Sequence, residues 1–147
     1  MSIIDKFLQV SSAQVITATA VSTDVIDAGA TKNAAIGRDL GGGTQLFLEV
    51  TVGATFTAAG AGTLTIALQD SADNATFADV LTTPALALAA LTAGQRFYIP
   101  LPAKMRRYIR ANYAVATGPM LTGNVSAQVV DGMTVERAYP DSLAKVV

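Results

Sequence analysis

Neither cysteine nor histidine occurs anywhere in the 147 residues of this chain. That removes disulfide frameworks, the usual Cys and His zinc sites, and every catalytic triad built on a His base or a Cys nucleophile. The lack of cysteine suits a protein made in a reducing cytosol. Long apolar runs are missing too. No stretch approaches the roughly 20 apolar residues of a membrane-spanning helix, so none is expected. At the N-terminus Asp5 and Lys6 interrupt the apolar residues, and no secretory signal is expected. Charge is scarce: 14% of residues are charged, against about 25% in an average soluble protein. The net charge of −1 gives no global pull toward nucleic acid or an anionic membrane.

The distribution of charge says more than its sum. From Leu40 to Gln69 the one charged residue is Glu49, and Val80 to Gln95 has none. Fully exposed, such stretches would make an adhesive surface. They fit strands covered on both faces, by a second sheet or by another protein. They also fit a solvated surface rich in Thr and Ala, of which the chain has 17 and 27, polar enough without charge.

What is present is period-two alternation. In Gln45–Gly53, Leu46, Leu48, Val50 and Val52 fall on one side and Phe47, Glu49 and Thr51 on the other. This marks a strand with one face in a core. Gln14–Ser22, Thr63–Asp70, Phe77–Leu81, Gln95–Leu101, Arg106–Val115 and Gly123–Val130 read the same way, and Asp24–Ala28 as a short continuation. Gly53 ends the first of these runs, and the Gly-containing segment after it leads to Thr63–Asp70, so those two strands are expected to pair antiparallel. Pro84–Leu91 reads as strand, although its Ala-Leu composition also suits a helical turn. Pro100 and Pro102 put Gln95–Leu101 at a sheet edge. Residues 29–44 read as a long loop. With turns every 8–12 residues, the pattern predicts one all-β domain, a jelly-roll-like β-sandwich of about eight strands. Its core covers about 14–131, with a short N-terminal arm (1–13) and a C-terminal tail (132–147). In the arm, Ile3, Ile4, Phe7 and Leu8 would share a face of one helical turn capped by Ser2.

The motifs that carry chemistry are thin. Gly37–Thr44 lacks the Lys of a phosphate-binding loop, and Gly60-Ala61-Gly62 lacks the third glycine of a dinucleotide turn. Asp70, Asp73, Asn74 and Asp79 do not follow an EF-hand, and turn chemistry accounts for Asp73 and Asn74 without a metal. No pair of carboxylates stands out for glycoside hydrolysis. No catalytic, cofactor or metal residue is therefore expected. Lys104, Arg106, Arg107 and Arg110 form one basic cluster, with Arg106, Tyr108 and Arg110 on one strand face. Three readings stand: a solvated face, a charged contact to a protein partner, and a single-strand nucleic-acid platform.

The succession GGGTQLFLEVTVG, LTIALQDSADNATF, RFYIPLP, RRYIRANYAV and GNVSAQVV, opened by MSIIDKFLQVSSAQVITATAVSTDVID, resembles the capsid cement, or decoration, proteins of tailed bacteriophages. The resemblance covers about residues 1–132. It implies a non-enzymatic jelly roll on the outer surface of the virion capsid, made in the host cytoplasm. Such a protein would clamp neighbouring major capsid protein subunits and form a small oligomer, a two-fold dimer. It implies no cofactor, nucleic acid, membrane or small-molecule substrate. On this reading the contact residues would be Ile3, Ile4, Phe7 and Leu8 of the arm, Arg106, Tyr108 and Arg110, and Tyr139 of the tail. The alternatives are a carbohydrate-binding or host-attachment sandwich, suggested by the hairpin LQDSADNATF but lacking any Trp to stack on sugars, and a hydrolase with buried carboxylates.

Overall fold

The computed structural model of the chain describes residues 6–29 and 45–132. Ten strands make it up: β1 (Gln9–Val15), β2 (Ala20–Val21), β3 (Ile26–Asp27), β4 (Phe47–Ala58), β5 (Thr63–Ser71), β6 (Ala78–Thr82), β7 (Leu86–Ala87), β8 (Arg96–Pro100), β9 (Tyr108–Ala116) and β10 (Met120–Val130). Short 3-10 turns occupy Lys6–Leu8 and Leu88–Ala90. One sheet has the order β1-β10-β4-β8. In the other, β9 and β5 are central. β2 and β3 lie end to end along β9, and β6 and β7 end to end along β5. All pairings are antiparallel. Counting each end-to-end pair as one position leaves eight, in the strand order of a jelly roll, and the expected β-sandwich is what forms.

Alternation builds the core. Leu48, Val50 and Val52 of β4 and Val125, Ala127 and Val129 of β10 face Leu64, Ile66 and Leu68 of β5 and Ile109, Ala111 and Tyr113 of β9 across the sandwich. Each fully buried Leu or Ile contributes about 1.5–3 kcal/mol by leaving water. One polar link crosses this layer. The Tyr113 hydroxyl lies 2.8 Å from the Ser11 hydroxyl, which itself donates to Gln14 Oε1 at 2.8 Å. Gln14 Oε1 also accepts the Thr23 amide, and Gln14 Nε2 donates to the Val21 carbonyl. The link therefore ties β1 of one sheet to β9 and the β2 segment of the other. Burial pushes the Tyr113 hydroxyl up to about 12.

Five expectations change. The run Gln14–Ser22 is not one strand: its start ends β1 and its end is β2, in different sheets. Buried Ile16 marks the corner, donating to the Gly123 carbonyl, while Ser22 already bonds to Ala111 of β9. Alternation cannot report such a change of partner. Gly53 does not end β4, which runs on to Ala58 and buries Phe56. The glycine sits at a bulge where the register with β10 slips between Asn124 and Val125, and the Asn124 side-chain oxygen occupies the space a Cβ would need. β4 and β5 do not pair; the 59–62 link crosses between sheets. Residues 84–91 split between the two-residue β7 and a 3-10 turn. At the N-terminus, residues 9–13, expected in the arm, form most of β1, with Val10 fully buried. β8 is an edge strand, as its prolines imply.

Candidate functional site

A jelly roll gathers its links at two opposite ends. Here Val15 pairs with Asn124, Ala58 with Met120, and Thr63 with both Ala116 and Ala87. Thr17 accepts the Met120 amide, Phe56 donates to Leu91, and Gly62 lies against Ala58 and the Met120 sulfur. These contacts bring the links 16–19, 59–62, 83–95 and 117–119 together at one end. The other end holds the Lys6–Leu8 turn, Ala28–Gly29, Gln45–Leu46, the turn 72–77, the link 101–107 and Asp131–Gly132, because Ser71 and Asp27 both pair with Tyr108 and Phe47 pairs with Val130 and Pro100.

The two ends differ in charge. The segments that build the first, 9–23, 50–69, 80–95 and 111–130, contain no Asp, Glu, Lys or Arg. Among the described residues its exposed surface includes Thr17, Ala18, Thr19, Thr55, Thr57, Ala59, Ala61, Pro84, Ala85, Ala89, Ala90, Thr117 and Pro119, with Val15 and Leu121 exposed by 64% and 59%. Its aromatic residues, Phe56 and Tyr113, are buried. A shallow hollow of about 360 Å³ opens there between Ala18, Thr19, Val115, Thr117, Gly118 and Pro119. Thr117 holds φ at 53°, a left-handed conformation unusual for a β-branched residue.

The second end carries two arginine–aspartate ion pairs. Arg107 makes a bidentate contact to Asp27, through Nε at 2.7 Å and Nη2 at 2.8 Å, and lies over the Tyr108 ring at 4.8 Å. Its guanidinium holds the Asp27 carboxyl below the usual range. Arg106 closes on Asp70 through its backbone amide (2.9 Å), Nε (2.8 Å) and Nη2, which also donates to the Asp70 carbonyl (3.0 Å). Arg110 donates to Gln69 and stacks 3.7 Å above the Phe77 ring. In the turn before β6, Asp73 accepts from Ser71, Ala75 and Thr76, and these bonds pull it down to about 2. Asp73 thus serves its own turn, and Asn74 takes φ 60° beside it. Among the described residues no group of three or more acidic side chains is placed to hold a metal ion.

Of the contact residues expected from sequence, Tyr108 and Arg110 share the outer face of β9, while Arg106 precedes the strand and is folded onto Asp70. These arginines are already engaged by an acid, an amide and a ring within the chain. Phe7 is 88% exposed, whereas Leu8 packs on the core, so the two do not share a face. Ile3, Ile4 and Tyr139, together with the loop 30–44 and the tail 133–147, lie outside the described residues. Sequence reasoning did not single out the uncharged end. Its signal was present as the charge gaps at 40–69 and 80–95, but their convergence depends on strand pairing.

A third feature lies on the outer face of the β1-β10-β4-β8 sheet. Glu49 is buried there between strands, paired with Gln128 and Tyr98. Its Oε1 accepts from Thr51 at 3.2 Å and lies 4.0 Å from Arg96, while Oε2 has no hydrogen-bond partner. Phe47 and Tyr98 meet edge to face beside it, with ring centres 6.3 Å apart.

No curated protein matches the chain. A protein-family model described as Bbp16 does, over residues 10–129, from β1 to the last residues of β10. With the match covering nearly all of the sandwich, the chain belongs to the Bbp16 family.

Proposed function

We propose that this protein is a capsid cement protein, a non-enzymatic module that binds the outer surface of a tailed-phage head and stabilises it by bridging major capsid protein subunits. The observation that carries the reading is the combination of the cement-like order of sequence motifs with a sandwich that, among the described residues, exposes one end without a charged side chain. A surface of Thr, Ala, Pro, Leu and Val with no charged side chain suits contact with another protein. Modest contacts repeated over a shell would give durable attachment, because each further contact is effectively intramolecular. The test is co-sedimentation of the full chain with mature heads stripped of decoration. Saturable binding at a fixed ratio to the capsid protein is expected; absence of binding to every head tried refutes the proposal.

One observation favours a second reading, a carbohydrate-binding module: the Phe47–Tyr98 pair beside Glu49 and Arg96 puts aromatic and polar groups together on an outer sheet face. The hairpin first suggesting it uses its Asp73 internally. A glycan array without hits removes this reading.

A further inference from the structure

Resting on the cement reading, we infer that the uncharged end of the sandwich, formed by the links 16–19, 59–62, 83–95 and 117–119, is the face that meets the shell, and that it docks on a protein surface that is itself free of charge at the contact. Charge matching selects this occupant. An ionised group brought onto this end would be stripped of water with no counter-charge to receive it. The chemistry disfavours the other classes of partner. Nucleic acid is held by Lys and Arg at its phosphates, and the segments forming this end have neither. A bilayer surface is met by basic residues and interfacial aromatics, and Phe56 and Tyr113 here are buried.

Area separates the shell from a second copy. The end of two four-position layers, with strands about 4.8 Å and layers about 10 Å apart, presents roughly 500 Å² once side chains are included. A stable protein pair in solution buries about 800 Å² on each partner. One such end is too small to hold a tight dimer, yet sufficient for a contact repeated across a lattice, where avidity replaces affinity. The opposite end, whose arginines are tied to Asp27, Asp70, Gln69 and Phe77, is left facing solvent or neighbouring decoration.

The experiment is co-sedimentation with stripped heads, comparing the unaltered chain with Leu121→Arg and Thr19→Glu at the uncharged end and Ala72→Arg in the exposed turn at the other end. Circular dichroism confirms that each variant is folded. The unaltered chain and Ala72→Arg are expected to bind alike, and to keep that binding from about 0.05 to about 0.5 M salt because no charges meet at the contact. Leu121→Arg and Thr19→Glu are expected to bind about tenfold more weakly or worse. If both bind as well as the unaltered chain, or if binding collapses with salt, the assignment of this end is overturned while the cement reading stands. If no form binds any head, the cement reading fails and takes the assignment with it. Sedimentation velocity adds a further outcome: a dimer of the unaltered chain that Leu121→Arg converts to monomer would mean that this end meets a second copy, which overturns docking on the shell.

Discussion

The bond between the sheets can be taken apart one atom at a time. Ser11 spends its proton on Gln14, so Tyr113 must donate to Ser11. Tyr113→Phe removes that donor and leaves no other group stranded, since Ser11 keeps its bond to Gln14. The expected cost is about 1 kcal/mol, the net worth of one buried hydrogen bond. Ser11→Ala strands the Tyr113 hydroxyl in the core and takes one of two donors from Gln14 Oε1, the Thr23 amide remaining. The expected cost is about 2–3 kcal/mol. With both changes the stranded hydroxyl is gone, so the double variant is expected to fall short of the sum by about 1 kcal/mol or more. Urea unfolding followed by far-UV circular dichroism measures all four corners of this cycle. A pH series provides a second readout. Folding raises the Tyr113 hydroxyl from 10.0 to about 12. Above pH 10 the unfolded chain therefore loses this proton while the folded chain retains it. The stabilisation is complete below pH 10 and disappears as pH rises to about 12, a difference of about 2–3 kcal/mol. The stability of Tyr113→Phe relative to the unaltered chain should improve by that amount across the window. Parallel pH profiles, or Ser11→Ala costing no more than Tyr113→Phe, would refute the assigned hydrogen-bond direction and the burial argument together.

Other positions give sharp expectations. The Phe56 ring occupies the space a Cβ on Gly123 would take, and Gly123 holds φ at 130°; Gly123→Ala should destabilise by about 3 kcal/mol or more through overpacking and backbone strain, read by urea midpoint. Thr117→Gly relieves a left-handed φ of 53° and should raise the melting temperature, the gain being about 0.5–1 kcal/mol after the added freedom of the unfolded chain. Arg106→Ala leaves the buried Asp70 carboxylate with only the residue 106 amide as a partner among the bonds described above; a loss of stability is expected, seen as a lower urea midpoint, and an unchanged midpoint would refute the role given to this pair.

The class of fold and the positions that line the core are legible in the residues alone. Alternation in Thr63–Asp70 put Leu64, Ile66 and Leu68 inward, and all three are fully buried. The same holds for Ile109, Ala111 and Tyr113 and for Val125, Ala127 and Val129, because a pleated strand with one face in the core must alternate whatever its neighbour is. The choice of neighbour was not legible. Gln14–Ser22 reads as continuous although Ile16 turns it from one sheet to the other, and β4 and β5, adjacent in the chain and complementary in pattern, pair with β10 and β9 instead. Gly53 looked like an end because a glycine's lack of a side chain is visible in sequence, while the Asn124 oxygen that requires it is contributed from 71 positions away. The candidate site followed the same division. The shortage of charge was plain in the residues. That its gaps meet at one end, while the arginines are consumed by Asp27, Asp70, Gln69 and Phe77 at the other, was decided by antiparallel pairing between strands far apart in the chain.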